Sequence, residues 1–387
     1  MGRRWPMAAR IRVGMRPPIR LAIAIIGALT LAHALAPARD VRIQDVQDHD
    51  VQNHVVRIGV LGLFHPSEFA VSAADGNAVV VHAGQETFVL ERSSGVRAAE
   101  IRAVAGATVV RVGPRAVHAP ALTVTGRTGG PADFLLAIPG KITRRYRGTL
   151  ELKLASGALV AVVTMDLETA VESVVAAEGL SGAPLEALKA QAVAARSYFA
   201  AGKGRHSGFD FCDTTHCQFL REPPVSGAAA EATSATRGLV MISQSQFFAA
   251  MYTRSCSGRT RTPVEVGLPP GSYPYYSVDC KYCREHPARW ESRISARDAA
   301  TLRSSNEPAR LKIVRRLGWS TAPSNNFTMR KEDDQVILKG IGQGHGIGLC
   351  QSGAAAMAKE GANFQQILSH YYPNAAIGSL KRAGGLR

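Results

Sequence analysis

The sequence contains little cysteine, fewer acids than bases, and almost no long apolar runs. Six cysteines in 387 residues are too few for a disulfide-dense miniprotein. Only one apolar run approaches the roughly 20 residues that a membrane-spanning helix needs, which excludes a polytopic membrane protein. Glycine and proline are frequent, at 37 and 20 residues, but they follow no period, so a collagen-like chain is excluded as well. The length leaves room for two or three globular units.

The N-terminus is basic and then apolar. Residues 1–20 contain six arginines and no acid, an apolar run follows at 21–32, and small residues surround Ala34. This order is typical of a secretory signal, and the run is short for a spanning helix. We therefore predict a signal peptide or an N-terminal membrane anchor at 1–36, followed by a linker at 37–55. We expect an exported, extracytoplasmic protein that meets the membrane only through this segment.

The charge balance narrows the range of partners. There are 46 Lys and Arg against 30 Asp and Glu, a formal net charge of +16. A basic surface suits nucleic acid, an anionic membrane face or an anionic wall polymer. Export makes nucleic acid the least favoured of the three, and the sequence has no zinc-finger or helix-turn-helix pattern. We expect no nucleic-acid partner.

The pattern of the chain changes from strands to helices near Asp166. Short β-rich runs separated by turn residues fill 56–143, and an alternating run then turns at Ser156-Gly157 into a further strand. From Asp166 the apolar residues follow helical spacing as far as Gly179, and Pro184 suits the first turn of a second helix. The sequence predicts an α+β fold, with a β-rich accessory region at 56–143, a mixed domain at 144–375 and a basic C-terminal tail at 376–387.

Glu178 continues the apolar stripe of the first predicted helix. Leu167, Val171 and Val174 precede it at spacings of three and four residues, so Glu178 belongs to the face that packs. Burial disfavours the charged form of a carboxyl and raises its pKa toward the range of a general acid. The alternative is a half-exposed glutamate at the end of a helix.

Lys189 and Arg196 lie seven residues apart on the second predicted helix. This spacing puts both on one face, about 10 Å apart along the axis. They either point at an anionic or hydroxyl-rich ligand near Glu178 or are ordinary solvated charges.

A cluster of thiols and imidazoles follows the second helix. Its members are His206, Cys212, His216 and Cys217. Two thiols and two imidazoles are the right ligands for tetrahedral zinc, but in an exported protein a disulfide framework competes with zinc. Cys256 and the pair Cys280 and Cys283 could join either arrangement, and the spacing does not separate the two.

The glycine-rich stretch 342–354 displays His345 and Gln351 as polar groups. It lacks both the dinucleotide-binding spacing and the P-loop Gly-Lys-Ser/Thr. Its alternating glycines permit close backbone approach to a ligand or simply form a tight turn. The sequence also lacks a G-x-S-x-G elbow and an H-E-x-x-H pair, which removes the usual support for a serine hydrolase or a zincin.

Taken together, these motifs resemble the SpoIID/LytB family (stage II sporulation protein D). The resemblance covers roughly residues 146–373 and rests on the segments 171–178, 184–198, 213–218, 252–260, 273–278, 344–354 and 367–373. The chain departs from the family pattern before Glu178, where a proline is more usual, at Gly179, and at Ser257. Cys280, Cys283 and Cys350 are additional to the segment that binds zinc in the family.

The resemblance implies a peptidoglycan lytic transglycosylase, a carbon–oxygen lyase, with Glu178 as the catalytic residue at a helix end. Glu178 would protonate the glycosidic oxygen between MurNAc and GlcNAc in strands stripped of stem peptides. It would then accept the proton of the MurNAc 6-hydroxyl, leaving a 1,6-anhydro-MurNAc end. One carboxyl suffices for this reaction, whereas the usual glycoside hydrolases use two. The resemblance places Lys189 and Arg196 along the site. As further glycan contacts we expect Tyr252, His345 and Gln351.

The resemblance also implies a structural zinc ion. The segment that binds it offers His206, Cys212, His216 and Cys217, and a closed four-ligand site leaves no position for water. Two other functions remain open at this stage. One is a non-catalytic, glycan-binding regulator of a cell-wall amidase, because part of the family resembles amidase modifiers. The other is a zinc hydrolase built on the His/Cys cluster.

Overall fold

The protein is described from a computed structural model of the chain. The description covers residues 44–46, 55–91, 93, 95–202, 204, 206–224, 226–302 and 306–380. The chain divides into two units, residues 1–39 and 40–387, and every described residue belongs to the second. The predicted signal or anchor at 1–36, most of the linker at 37–55 and the last seven residues of the tail lie outside the described residues. Within the described part, no helix is both long and apolar enough to cross a membrane.

Strands dominate the first half of the described chain, and helices and short strands alternate in the second. The strands are β1 Gln44–Val46, β2 Val55–Val60, β3 Glu68–Ala73, β4 Val79–Ala83, β5 Glu86–Leu90, β6 Ala98–Val104, β7 Ala107–Val112, β8 Arg115–Ala119, β9 Ala121–Thr125, β10 Ala132–Ile138, β11 Ile142–Ala155, β12 Ala158–Asp166, β13 Phe211–Cys212, β14 Leu239–Ser243, β15 Gln246–Phe247, β16 Tyr252–Thr253, β17 Arg289–Ser295, β18 Phe327–Glu332, β19 Gln335–Ile341, β20 Leu349–Cys350 and β21 Ala376–Leu380. The α-helices are α1 Leu167–Glu178, α2 Leu185–Ala201, α3 Ala228–Ala235, α4 Lys281–Glu285, α5 Ala296–Leu302, α6 Glu307–Leu317, α7 Gln351–Lys359 and α8 Phe364–Tyr371. The α+β class predicted from the sequence is confirmed.

One large sheet joins the β-rich region to the rest of the domain. It has twelve strands, and its main path runs β13-β2-β12-β11-β10-β3-β6-β7-β8. The long strand β11 pairs with β10 through its first half and with β9 through its second, so the sheet curls upon itself. The domain boundary predicted between residues 143 and 144 therefore runs through β11 and does not separate two units. The hairpin predicted at Ser156-Gly157 is present as β11 and β12.

The first two helices start and end where the sequence indicates. Asp166 caps α1, because its side chain accepts hydrogen bonds from the backbone N–H groups of Glu168 at 2.9 Å and Thr169 at 3.3 Å. Pro184 stands at the N-terminus of α2. One face of α2 packs with α1 and the large sheet in a first core, and its other face packs in a second core with α7 and α8. This central helix fixes the end of α1 relative to the C-terminal part of the chain.

The C-terminal part contributes three smaller sheets. β1, β21, β14 and β15 form one, β16 and β20 form a parallel pair, and β17, β19 and β18 form the third. The last of these packs with α5 and α6 around a third core that contains Leu302, Ile313 and Leu338. The tail predicted at 376–387 is wrong at its start, because 376–380 form strand β21 and pair with β14. Likewise residues 44–46 of the predicted linker pair with β21.

Candidate active site

Glu178 is the last residue of α1, and its carboxyl lies within a hydrogen-bonded site. The backbone N–H of Phe219 donates to Oε1 at 2.9 Å, and the hydroxyl of Tyr252 contacts Oε2. Leu167, Val171 and Val174 on the same helix face are buried, as the apolar stripe predicts. The side chain at 178 is therefore held from two directions, by the segment after β13 and by β16.

The contacts of Tyr252 indicate where a proton resides. Its hydroxyl also lies 2.9 Å from Oε1 of Gln218, and the Gln218 amide nitrogen donates to the carbonyl of Ala195 at 3.2 Å, which fixes the orientation of the amide. A phenol has only one proton to give, so it cannot donate to both Gln218 and Glu178. When Tyr252 donates to Gln218, the remaining hydrogen bond needs a proton on Glu178. The arrangement suits a carboxylic acid as well as a carboxylate.

The electrostatics agree with this geometry. Burial raises the pKa of Glu178 from 4.5 to about 7, and the hydrogen bonds from Tyr252 and Phe219 oppose the rise. Among the described residues no salt bridge involves this carboxyl, so no cation holds it in the charged form. Near neutral pH, Glu178 is present in both its protonated and its ionised form, as a group that alternates between acid and base must be.

Glu178 opens into a cleft of about 700 Å³. Gln218, Tyr252 and His345 line the cleft together with it. A smaller adjoining pocket of about 280 Å³, which we call the side pocket, shares Glu178, Tyr252 and His345 and adds the aromatic residues Phe219 and Trp319. Trp319 is 47% exposed, which is unusual for so large an apolar side chain. Aromatic surfaces beside a buried carboxyl suit a ligand with both polar groups and apolar faces.

His345 lines the cleft, and a backbone contact defines the tautomer of its ring. The backbone N–H of Ile347 donates to Nδ1 at 3.0 Å, so in the neutral ring the proton resides on Nε2. Burial lowers the pKa of His345, which favours that neutral ring. The loop can lie this close to β16 because Gly344 has no side chain: a Cβ there would be 2.4 Å from Oγ1 of Thr253.

Gln351 acts on Glu178 through the backbone. Its amide nitrogen donates to the carbonyl oxygen of Glu178 at 2.8 Å. The carbonyl groups in the last turn of a helix lack partners within the helix, so this bond satisfies one of them and fixes the end of α1. Gln351 also lines the side pocket.

A second carboxyl, Glu307, lines both the cleft and the side pocket. It is only 4% exposed. Arg310 donates to both of its oxygens, at 2.8 Å and 2.5 Å, and the amide of Asn325 donates to Oε2 at 3.0 Å. Both carboxyl oxygens are therefore engaged by cationic or amide donors within a buried ion pair.

The predicted His/Cys cluster comes together in space. His206, Cys212, His216 and Cys217 each offer one ligand atom, and these atoms all lie within 4.8 Å of one another. The two Sγ atoms are 3.4 Å apart, and His206 Nε2 is 3.2 Å from Cys217 Sγ. A tetrahedral zinc ion with bonds of about 2.0–2.3 Å spaces its ligands by about 3.3–3.8 Å. The donor set and its spacing fit Zn²⁺.

Part of the chain that forms this site is similar to a known protein family. Residues 155–242 match the family model described as stage II sporulation protein, SpoIID. This segment of the chain is similar to SpoIID. The SpoIID match runs from the end of β11 into β14 and contains Glu178, both central helices and the His/Cys cluster. Tyr252, His345 and Gln351 lie beyond it.

Two relatives extend the comparison. An uncharacterized protein of Brachyspira hyodysenteriae is 28% identical over 262 residues, which are 59% of this chain and 70% of that protein. The amidase enhancer of Bacillus subtilis is 36% identical over 63 residues, which are 16% of this chain and 9% of that protein. This second match therefore spans a small part of a much longer protein. The SpoIID match and the amidase enhancer together support a cell-wall-related role.

The structure corrects the expectations for Lys189 and Arg196. Arg196 is fully buried and donates to both carboxyl oxygens of Glu168, at 2.9 Å and 2.6 Å, as well as to the carbonyl of Leu239. Lys189 pairs with Glu186 at 2.7 Å and lines neither the cleft nor the side pocket. Helical spacing correctly places both residues on one helix, but their charges are used to join neighbouring elements within the SpoIID segment.

Four further residues of the site escaped the sequence analysis. Gln218 and Phe219 follow Cys217 directly. Because the family-like segment 213–218 ends at Gln218, the sequence offered a signal for both residues. Glu307 and Trp319 belong to the part of the chain between the recognised motifs, and nothing in their local sequence indicates a cleft. Only the folding of the chain brings Glu307 and Trp319 close to Glu178.

Proposed function

We propose that the protein is a peptidoglycan lytic transglycosylase that cleaves the bond between MurNAc and GlcNAc. The single observation that carries this proposal is Glu178, a carboxyl without a salt-bridge partner among the described residues, with a pKa raised to about 7, in an open cleft. The SpoIID match covers this residue. The basic balance of the chain suits an anionic polymer, and the predicted export would bring the protein to it.

The chemistry follows from the two states of Glu178. In its protonated form it gives a proton to the glycosidic oxygen as the bond from that oxygen to C1 of MurNAc breaks. The resulting carboxylate then accepts the proton of the MurNAc 6-hydroxyl as O6 bonds to C1. The products are a GlcNAc-containing fragment with a free hydroxyl and a 1,6-anhydro-MurNAc end. No water is consumed, and Glu178 ends as it began, protonated.

The residues around Glu178 have distinct roles in this cycle. The N–H of Phe219 and the hydroxyl of Tyr252 stabilise the carboxylate after the proton leaves. Gln351 holds the end of α1 and is a positioning residue. The exposed face of Trp319 supplies a surface on which a sugar ring can stack.

Phe219 adds a site for the acidic part of the substrate. The guanidinium groups of Arg144 and Arg221 each lie 5.6 Å from its ring centre. Arg144 is also paired with Asp213 at 2.9 Å, whereas Arg221 is exposed and forms no salt bridge with the residues that the structure describes. We assign Arg221 to the lactyl carboxylate of a MurNAc unit bound against Phe219.

The same proposal includes a structural zinc ion held by His206, Cys212, His216 and Cys217. Four protein ligands close the coordination sphere, so the ion contributes folding energy and no bound nucleophile. Gln218 and Phe219 follow the last ligand directly. The ion would therefore fix the two groups that contact Tyr252 and Glu178.

The second candidate is a glycan-binding regulator of a cell-wall amidase. The observation that favours it is the match to the amidase enhancer of Bacillus subtilis. The β-rich region, which shares the large sheet with the Glu178 domain, would provide the surface for the amidase. In this candidate the cleft binds glycan without cleaving it.

The deciding experiment compares the full-length chain with its Glu178→Gln variant on glycan strands freed of stem peptides. The matched control is Glu172→Gln, which changes a partly buried glutamate on the same helix. Mass spectrometry of the products should show 1,6-anhydro-MurNAc ends for the wild type and the control, and none for Glu178→Gln. Hydrated reducing ends would indicate a hydrolase instead. Retained glycan binding without any cleavage would favour the amidase regulator.

A further inference from the structure

A second group of four cysteines converges away from the His/Cys cluster. Its members are Cys256, Cys280, Cys283 and Cys350, and all four are buried. Their Sγ atoms lie within 4.8 Å of one another, although Cys256 and Cys350 are 94 residues apart in the chain. All four are free thiols. We call this group the four-cysteine cluster.

We propose that the four-cysteine cluster binds a second Zn²⁺ ion as a closed tetrathiolate site. Zinc–sulfur bonds of about 2.3 Å in a tetrahedron space the sulfur atoms by about 3.8 Å. Sγ of Cys283 and Sγ of Cys350 are 3.5 Å apart, and the largest separation stays within 4.8 Å. Disulfide bonds of about 2.05 Å would instead draw the sulfurs into two close pairs.

The local structure around the cluster is that of a metal site. Cys280 is the N-cap of α4 and Cys283 lies within its first turn, which gives the C-x-x-C spacing of zinc-binding loops. The two other ligands come from chain segments that adjoin β16 and β20. A Cβ at Gly353 would be 2.6 Å from Sγ of Cys280, so the glycine leaves room for the sulfur.

Hydrogen-bond donors surround the sulfurs, as a buried tetrathiolate requires. The backbone N–H of Cys256 donates to Sγ of Cys350 at 3.3 Å. The hydroxyl of Ser255 lies 3.5 Å from Sγ of Cys283, and the hydroxyl of Tyr371 lies 3.5 Å from Sγ of Cys280. Donors of this kind orient thiolate ligands and stabilise their charge.

The four-cysteine cluster is connected to the candidate site through β16 and β20. β16 and β20 pair with Tyr252 opposite Leu349 and Thr253 opposite Cys350. Tyr252 contacts the carboxyl of Glu178, and Gln351, the residue after Cys350, donates to its carbonyl. A metal ion in the four-cysteine cluster would hold Tyr252 and Gln351 in their contacts with Glu178. The importance of these contacts for catalysis rests on the proposed function, whereas the proposed metal site does not.

The test is a count of metal ions and thiols in the purified full-length chain. Elemental analysis should find two zinc ions per chain, one for each group of ligands. The variant Cys280→Ser/Cys283→Ser should lose one of them, and the matched variant Cys212→Ser/Cys217→Ser should lose the other. After unfolding without reductant in the presence of a chelator, all six cysteines of the wild type should react as thiols.

Several outcomes would overturn the proposal, and none depends on activity. One zinc ion per chain, kept by Cys280→Ser/Cys283→Ser and lost by Cys212→Ser/Cys217→Ser, would leave the four-cysteine cluster unmetallated. Loss of four thiols, with peptide maps linking members of the cluster, would identify disulfides. Iron in place of zinc would identify an iron–sulfur centre. Because the thiol count uses only the wild type, a variant that fails to fold leaves the test intact.

Discussion

Glu178 should destabilise the fold at neutral pH, and this prediction can be tested without a substrate. Burial raises the pKa of its carboxyl from 4.5 to about 7 in the folded chain, whereas in the unfolded chain the carboxyl titrates near 4.5. The folded state therefore binds more protons between these two values, and its stability decreases as pH rises through them. Below pH 4.5 both states are protonated, and the cost disappears.

The size of the effect follows from the same two values. At about 1.4 kcal/mol for each pKa unit, the ionised carboxyl costs the folded state on the order of 3 kcal/mol above pH 7. Glu178→Gln replaces the carboxyl with a neutral group of the same shape that still accepts from Phe219 and can donate to Tyr252. The variant should therefore be more stable than the wild type by about 2–3 kcal/mol at pH 8 and about equally stable at pH 4.

Urea unfolding at a series of pH values, followed by circular dichroism, measures this difference. The control is Glu360→Gln, at an exposed helix end, which should show no pH-dependent gain. If Glu178→Gln gained the same stability at pH 4 as at pH 8, the gain would not come from the carboxyl. If the variant lost stability at pH 8, the buried-acid interpretation of Glu178 would be refuted.

Three further predictions concern the surroundings of Glu178. Tyr252→Phe removes a hydrogen bond that lowers the pKa of Glu178, so the alkaline limit of anhydro-MurNAc release should rise by about one pH unit in a rate profile, whereas a fall would contradict the assigned contact. Arg196→Ala removes the salt-bridge partner of Glu168 and should lower the free energy of unfolding in urea by about 3–5 kcal/mol. A change in glycan affinity without this loss of stability would show that Arg196 contacts the glycan. Trp319→Ala should weaken glycan binding several-fold in calorimetry while the melting temperature stays within about 2 °C, because its ring is half-exposed.

The local pattern of apolar and capping residues was sufficient to predict the helix that carries Glu178. The spacing of Leu167, Val171 and Val174 fixes which face packs, and Asp166 and Gly179 mark the helix ends. The position of the half-buried Glu178 on the packed face therefore follows from neighbours within one helix. The His/Cys cluster could also be predicted from the sequence, because its ligands fall within a short stretch of chain.

The remaining site residues depend on contacts that sequence spacing does not contain. The family resemblance places Lys189 and Arg196 at the substrate, and their shared helix face permits this. Glu168, however, the actual partner of Arg196, is 28 residues away. Tyr252 is 74 residues from Glu178, and Gln351 is 173 residues away. A charged residue on a known face remains ambiguous until the element packed against that face is known.

The partners of Glu178 are held differently from Glu178 itself. α1 is anchored in the first core by its apolar stripe, and this anchor needs no metal. Phe219 and Gln218 follow directly after the His/Cys cluster, and Tyr252 and Gln351 adjoin the four-cysteine cluster. These segments are short strands and loops, so their positions depend on what they pack against. Metal ions at the two clusters would therefore stabilise the assembled site more than the fold as a whole. Progressive chelation should then abolish glycan cleavage while the large sheet stays folded, as circular dichroism would report, because the catalytic carboxyl would keep its position and lose the groups that tune it.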